Sequence, residues 1–323
     1  MSKSRKSSKK SKKAKTLLIT IIVLVVLLFI LTPEEIPVSN QANIVALELP
    51  EDGFDGQILS HTGYTLKYSE DDEQPYWVAY ELTSDEIYGD FERKDHFRSD
   101  PSVQTGSAAL SDYRSSGYDR GHLIPAADQN WSEEAMDDSF FLSNMSPQEP
   151  SFNRGIWAKL ESVVRTFAKD NKSLYVVTGP ILIDGPYDSI GNNKVSIPNY
   201  YYKVILDYTS PGIKSIGFIL PNEGSSKDLV DFATSVDEVE SKTNIDFFYK
   251  LPDSQEDSIE SSFNVDDWNF KTFYSSAEDK QTQTTSPTTV TEDNSLYYQI
   301  QGLLYSLFGE LKTMLIQEIK AFI

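Results

Sequence analysis

Seventeen consecutive uncharged residues, 16–32 (TLLITIIVLVVLLFILT), divide this chain into a part that belongs in lipid and a part that belongs in water. At about 1.5 Å per residue the run just spans a hydrocarbon core, so it reads either as a short transmembrane helix or as the h-region of a signal peptide. Residues 1–15 carry eight basic side chains and no acid. Positive-inside logic puts that basic tail in the cytoplasm and everything after Thr32 outside. No A-x-A-like cleavage site follows; Pro33, Glu34 and Glu35 stand there instead. The expectation is an uncleaved, single-pass signal anchor, with secretion the outcome if the segment is cleaved.

The remaining 308 residues hold 21 basic and 49 acidic side chains. That balance argues against the long-range attraction expected of a nucleic-acid binder. Cysteine is absent, which excludes disulfides, thiolate metal sites, a cysteine nucleophile and a lipid-modified N-terminal cysteine. The apolar fraction is a modest 39%, but 18 tyrosines, 17 phenylalanines and 4 tryptophans supply a core and exclude wholesale disorder.

Residues 33–55 are acidic and turn-rich and read as a spacer, and residues 56–275 have a globular pattern. Within it, 74–82 (QPYWVAYEL), 174–178 (LYVVT), 200–208 (YYYKVILDY) and 216–220 (IGFIL) read as strands. A helix is expected over 153–169, with Ile156, Leu160, Val163, Val164 and Phe167 on one stripe. Shorter serine-capped helices are expected over 226–234 and 235–242. Strands and helices without strict alternation predict an α+β fold with a mainly antiparallel central sheet and flanking helices. Residues 276–295 are almost devoid of apolar side chains and read as a disordered linker. Residues 296–323 regain a helical period as an amphipathic C-terminal helix, which either associates with its own copies or lies on a membrane surface.

Of three histidines, His61 and His96 carry no chemistry-bearing context and are read as structural. His122 closes Ser116-Gly117-Tyr118-Asp119-Arg120-Gly121-His122, which gathers an acid, a guanidinium and an imidazole. Downstream stand Ser143-Asn144, Pro147-Gln148, and Asn153 with Glu161 eight residues later. Phosphodiester hydrolysis needs a base for water, a cation for developing charge and help for the leaving oxygen. A neutral imidazole suits the first task, and oxygen donors such as an amide and a carboxylate suit a hard divalent ion. On a continuous helix starting at Asn153, Glu161 lies about 80° round and Arg165 about 120°, at roughly 100° per residue. The bland alternative is an N-cap asparagine beside a surface Glu161–Arg165 pair.

Asp119-Arg120-Gly121-His122 resembles the signature of the DNA/RNA non-specific endonucleases, among the ββα-metal (histidine–metal finger) nucleases. The pattern is endonuclease G-like and, with the 16–32 run, of a membrane-anchored bacterial type. It extends through Trp77-Val78-Ala79-Tyr80, Phe97-Arg98-Ser99-Asp100, Val177-Thr178-Gly179-Pro180 and Phe218-Ile219-Leu220-Pro221-Asn222, but does not reach either end of the chain. The resemblance implies a ββα-metal finger and a Mg²⁺-dependent, sugar-non-specific endonuclease, with Mn²⁺ as a substitute metal, leaving 5′-phosphate and 3′-hydroxyl ends on DNA and RNA. It implies His122 as general base, Asn153 as the direct metal ligand, and Glu161 as a contact to metal-bound water. Arg93, Arg120 and Arg165 match phosphate-contacting arginines, with Arg98 a rival to Arg93. Asn144 matches a site-supporting asparagine, Asp119 a positioning acid, and Gln148 a supporting or purely structural residue. Relatives of this kind are often homodimers.

The acidity is answered by distribution. Beyond the tail the arginines are Arg93, Arg98, Arg114, Arg120, Arg154 and Arg165, all within 73 residues that also contain His122, Asn153 and Glu161. Guanidinium suits bidentate phosphate contact, so a locally positive site on an acidic body is expected. The alternatives are a cell-surface nucleic-acid-binding or DNA-uptake module without catalysis, a phosphodiesterase acting on small nucleotides or phospholipids, and a structural surface protein.

Overall fold

The computed structural model describes residues 46–209 and 212–270. The basic tail, the anchor expected at 16–32, residues 33–45 of the expected spacer, and the linker and helix expected over 276–295 and 296–323 lie outside the described residues. In chain order the main elements are β1 (Gln57–His61), β2 (Tyr64–Ser69), β3 (Gln74–Thr83), β4 (Asp119–His122), α1 (Glu133–Asp138), β5 (Met145–Gln148), α2 (Ala158–Asn171), β6 (Ser173–Pro180), β7 (Tyr200–Asp207), β8 (Lys214–Pro221), β9 (Ala233–Thr234), α3 (Val236–Thr243) and α4 (Asp253–Glu260). Seven strands form one sheet in the order β9-β8-β7-β6-β3-β2-β1, every neighbouring pair antiparallel. The architecture is α+β with a central antiparallel sheet, as the pattern of elements predicts. β4 and β5 pair apart from it, Asp119 opposite Gln148 and His122 opposite Met145.

β7 shows how the sheet separates two cores. Its side chains alternate between faces, and both faces are covered, so the strand reads YYYKVILD with hardly a polar residue. Tyr202, Val204 and Leu206 join Val236 and Val239 of α3, with Phe247, in one buried cluster. Tyr201 points the other way and stacks on Phe152 at 5.2 Å between ring centroids. Lys203 shares that face, with Nζ 5.0 Å from the Trp157 ring. On α2, Leu160, Val163, Val164, Phe167 and Ala168 are buried at helical spacing. Phe167 in turn receives Trp268 and Phe270 at 4.9 and 5.0 Å. Burial of each such large side chain is worth about 1.5–3 kcal/mol.

Three sequence expectations are corrected. The fold starts before residue 56: Leu47 is buried, Glu51–Asp52 pairs with Ile245–Asp246, and Asp52 binds Lys67 and the Trp77 indole. Those contacts draw residues 46–55 out of the spacer. The helix expected over 226–234 is only a single turn, Leu229–Phe232, followed by edge strand β9. Pairing of Gly217 and Phe218 with Thr234 and Ala233 outweighs the local serine signal there. The third correction concerns 153–169. A regular helix begins only at Ala158, after a wide π-type turn over Phe152–Trp157 broken at Gly155 (φ −109°, ψ −108°). Asn153 is therefore neither an N-cap nor on the same helical wheel as Glu161. Ser235, by contrast, caps α3 as expected, accepting from the Glu238 amide at 3.2 Å.

Candidate active site

The β4–β5 pair and the turn before α2 bring most of the predicted site residues to one place. Arg93, Asp95, Phe97, Leu110, Asp119, Arg120 and Asn153 wall an open cleft of about 360 Å³. Arg93 lies along it with an exposed side chain, its Nε donating to Asp95 at 2.6 Å. Arg98 does not wall it. Its guanidinium lies 3.8 Å over the Phe141 ring and is tied to Asp137, which makes it a structural clamp and leaves Arg93, of the two rivals, at the cleft beside Arg120.

Asp119 is the organiser of the floor. Oδ2 accepts from Asn153 Nδ2 at 2.9 Å and from Arg154 Nε at 2.8 Å, while Oδ1 accepts from Arg154 Nη2 at 2.6 Å. Burial works to raise the Asp119 pKa, but the hydrogen bonds from Arg154 and Asn153 outweigh it and hold the carboxyl below its usual range. With Nδ2 committed, the carbonyl oxygen of Asn153 is the end left for another partner. An amide oxygen on the cleft wall, with a carboxylate on the helix that follows, is the donor set a hard divalent ion takes.

His122 is 8% exposed and boxed by aromatic rings, edge-on to Phe140 at 5.1 Å and to Phe97 at 5.5 Å. Arg120 lies 4.1 Å over the Phe97 ring, and Arg93 5.0 Å over that of Phe140. Its main-chain oxygen accepts from the Trp157 indole at 3.3 Å, tying β4 to the turn before α2. Burial first, then the charges of Arg93 and Arg120, push the imidazole down to about 3, so it is neutral at physiological pH. Nε2 is sealed from solvent without a hydrogen-bond partner. Nδ1 is therefore the nitrogen able to meet a water.

Glu161 and Arg165 lie on α2 and do not wall the cleft. Burial pushes the Glu161 carboxyl up against the opposing pull of Lys203 and Arg165. Arg165 donates from Nη1 to Asp128 at 2.8 Å, and Asp128, only 1% exposed, also accepts from the Tyr80 hydroxyl at 3.0 Å. The arginine expected at a phosphate thus has an internal carboxylate partner. Asn144 is fully buried: Oδ1 accepts from the Ile124 amide at 3.0 Å, and Nδ2 donates to the carbonyls of Ile124 and Ser139 at 3.1 and 2.8 Å. It fixes the loop leaving His122 and has no amide atom to spare. Gln148 is also buried, with neither side-chain polar atom hydrogen-bonded. It packs over Gly121, where a Cβ would fall 2.1 Å from its side chain.

Sequence reasoning missed Phe140, Asp128, the pinning role of Arg154, and Lys203. Only Lys203 left a signal, as the one charge inside an otherwise apolar run. It is 1% exposed and its Nζ has no hydrogen-bond partner; burial pushes the ammonium down, while Glu161 and Asp128 draw it back up.

Residues 41–254 match the profile described as DNA/RNA non-specific endonuclease. Human mitochondrial endonuclease G is 38% identical over 189 residues, 54% of this chain and 64% of that protein. The chain thus spans slightly less than two thirds of that relative. The nuclease of Syncephalastrum racemosum is 34% identical over 241 residues, 68% of this chain and 75% of its own. The crystal structure of an EndoG/EndoGI complex, concerned with EndoG inhibition, superposes with a TM-score of 0.59 at 32% identity, covering 64% of this chain and 90% of that one.

Proposed function

The chain belongs to the DNA/RNA non-specific endonuclease family, and from that membership we propose that it is a metal-dependent endonuclease cutting DNA and RNA without regard to the sugar. The observation that carries the reading is the joining of His122, Asp119, Arg120 and Asn153 by the β4–β5 pair and the turn before α2. A surface module without catalysis has no use for a buried neutral imidazole beside two cleft arginines.

Asn153 would hold Mg²⁺, or Mn²⁺ in its place, with Glu161 reaching it through water; bound there, the ion neutralises charge building on the phosphate. Arg93 and Arg120 bind the phosphate and orient it along the cleft. Nδ1 of His122 takes a proton from the attacking water as its oxygen bonds to phosphorus. The bond from phosphorus to O3′ breaks, the phosphate stays on the 5′ side, and O3′ leaves as a hydroxyl after taking a proton from water. The substrate itself tunes the base: an anionic phosphate on Arg93 and Arg120 offsets the charges that lower the imidazole, raising its basicity when substrate is bound. Asp119 keeps the Asn153 amide turned, and Asn144 holds the loop behind His122.

The test is cleavage of supercoiled plasmid and of single-stranded RNA, each with Mg²⁺ and with EDTA, beside His122→Ala. Cleavage of both substrates, abolished by EDTA and by the substitution, is expected. Binding of both without cleavage would replace this reading with a catalytically idle module, and cleavage of small nucleotide diesters alone would replace it with a phosphodiesterase. The basic tail and the 16–32 run support a domain displayed outside the cytoplasm on a single-pass anchor. Protease treatment of intact cells should remove the domain, and its survival there would reverse the topology.

A further inference from the structure

On the face of the sheet opposite His122, α3 and α4 bring acidic side chains together. Asp237 and Glu240 stand three residues apart on α3 and so share one side of that helix. Glu260 is the last residue of α4, where unpaired carbonyls place partial negative charge. One carboxylate oxygen from each of the three lies within 4.8 Å of the other two. Oxygens around a bound Ca²⁺ stand at most roughly 4.6–5.2 Å apart, twice its bond length, so the cluster lies within its span. The flexible coordination of Ca²⁺ suits an irregular carboxylate set better than the near-ideal octahedron Mg²⁺ demands.

An acidic surface cluster alone would mean little, but Glu260 is not at the surface. It is 4% exposed and its Oε1 has no hydrogen-bond partner. Buried carboxylates normally find donors or a cation, because desolvation without either costs several kcal/mol. Glu240 is fixed in place, Oε1 accepting from the Phe247 amide at 2.8 Å. The charged groups acting on Glu260 are Glu240, Glu256, Asp246 and Asp237, all acidic, and with burial they push its carboxyl up to about 9. Val236 and Val239 of α3 and Ile259 of α4 pack into the same apolar cluster, which opposes separation of the two helices.

We infer that Asp237, Glu240 and Glu260 form a second divalent-cation site, of Ca²⁺ type and structural in effect, separate from the catalytic metal. Ca²⁺ clamps α3 to α4 across the edge of the sheet that ends in β8 and β9. Water completes its coordination, since three carboxylates fall short of the six to eight oxygens Ca²⁺ takes. The site does not depend on the nuclease reading and stands or falls apart from it.

The experiment uses the full chain with Asn153→Ala, which removes the catalytic amide donor, and follows thermal unfolding and calorimetric titration with CaCl₂ after EDTA treatment. One Ca²⁺ per chain should bind and raise Tm by several degrees. Adding Glu260→Gln, nearly isosteric, should weaken binding at least tenfold and abolish the shift; the exposed Asp237→Asn should weaken it in the same direction. In EDTA near neutral pH the Glu260→Gln chain should unfold at a higher temperature than its parent, since a glutamine needs no proton to be buried among these acids. A Ca²⁺ shift that survives both substitutions would overturn the proposal. So would the absence of any shift in the parent chain, which would leave the three carboxyls held together by protons alone.

Discussion

Asp119 Oδ2 and Asn153 Nδ2 are hydrogen-bonded at 2.9 Å, and this contact determines which end of the asparagine amide faces the cleft. Arg154 braces the acid through two further bonds, so the amide is held by a pinned carboxylate. Asp119→Asn replaces the acceptor that orients Asn153 with a group that also donates. Loss of such a supporting partner costs 10–100-fold in metal affinity, so the Mg²⁺ concentration for half-maximal cleavage should rise by about that factor. The rate at saturating Mg²⁺ should largely recover. Failure of high Mg²⁺ to restore it would show that Asp119 acts on the reaction itself.

His122→Ala should behave differently. General-base catalysis contributes about 10²–10⁴-fold, and no concentration of metal replaces it. A metal titration of both variants separates the roles: Asp119→Asn moves the midpoint, and His122→Ala lowers the plateau. Full activity of His122→Ala at metal saturation would show that another group deprotonates the water.

Gly121 lies between Arg120 and His122, and a Cβ there would meet the Gln148 side chain at 2.1 Å. Both residues are buried, so the clash cannot be relieved into solvent. Gly121→Ala should cost about 1–3 kcal/mol of stability, read by denaturant unfolding, and lower cleavage by displacing β4. Trimming the obstacle in Gly121→Ala/Gln148→Ala should recover most of that stability. If the double variant is no more stable than the single, the strain lies in the backbone and not against Gln148.

β4 was legible because its four consecutive residues gather an acid, a guanidinium and an imidazole, and the central strands because their aromatic and β-branched runs end at Gly, Pro or Asn. The geometry around Asn153 was not. An apolar period of three and four registers Ile156, Leu160, Val163 and Phe167 but carries no trace of the break at Gly155, so the helix was expected five residues early. The internal partner of Arg165 was hidden for another reason: Asp128 is 37 residues away and reaches it only through the fold. Phe140 likewise boxes His122 from a loop whose sequence has no periodic signal. Lys203 was visible as an anomaly in β7, and its proximity to Glu161 required the sheet to be assembled.

Stability should depend on Asp100 at acid pH. Its carboxylate is buried and accepts from His61 Nε2 at 2.8 Å, Ser143 Oγ at 2.6 Å and the Ser102 amide at 2.8 Å. Burial alone would raise its pKa, but these bonds prevail and lower it. A carboxyl with a depressed folded-state pKa stabilises above its unfolded value of about 3.9, and that contribution is lost as pH falls through the folded value. Asp100→Asn should therefore lower stability by about 1–3 kcal/mol at pH 7, with the gap to the parent closing below about pH 4. A gap that stays constant from pH 7 to pH 3 would show that the charge of Asp100 contributes nothing.

The acidity of the chain makes salt the last discriminating variable. Outside the first 15 residues the acidic side chains outnumber the basic by 49 to 21, yet Arg93 and Arg120 line the cleft with exposed guanidinium groups. Capture of a polyanion then rests on a few short-range phosphate contacts working against a repulsive body. Each neutralised phosphate contributes a slope of roughly −0.7 to −0.9 in log affinity against log salt. Two contacts predict about a tenfold loss of kcat/KM between 50 and 200 mM monovalent salt, at fixed Mg²⁺ and subsaturating substrate. Arg93→Gln should weaken cleavage of DNA and RNA alike and make the slope shallower by about one contact. Millimolar Mg²⁺ above the catalytic requirement should partly restore capture by screening the acidic surface. A kcat/KM independent of salt over that range would mean that the two arginines do not engage phosphate, and their place along the cleft would need another explanation.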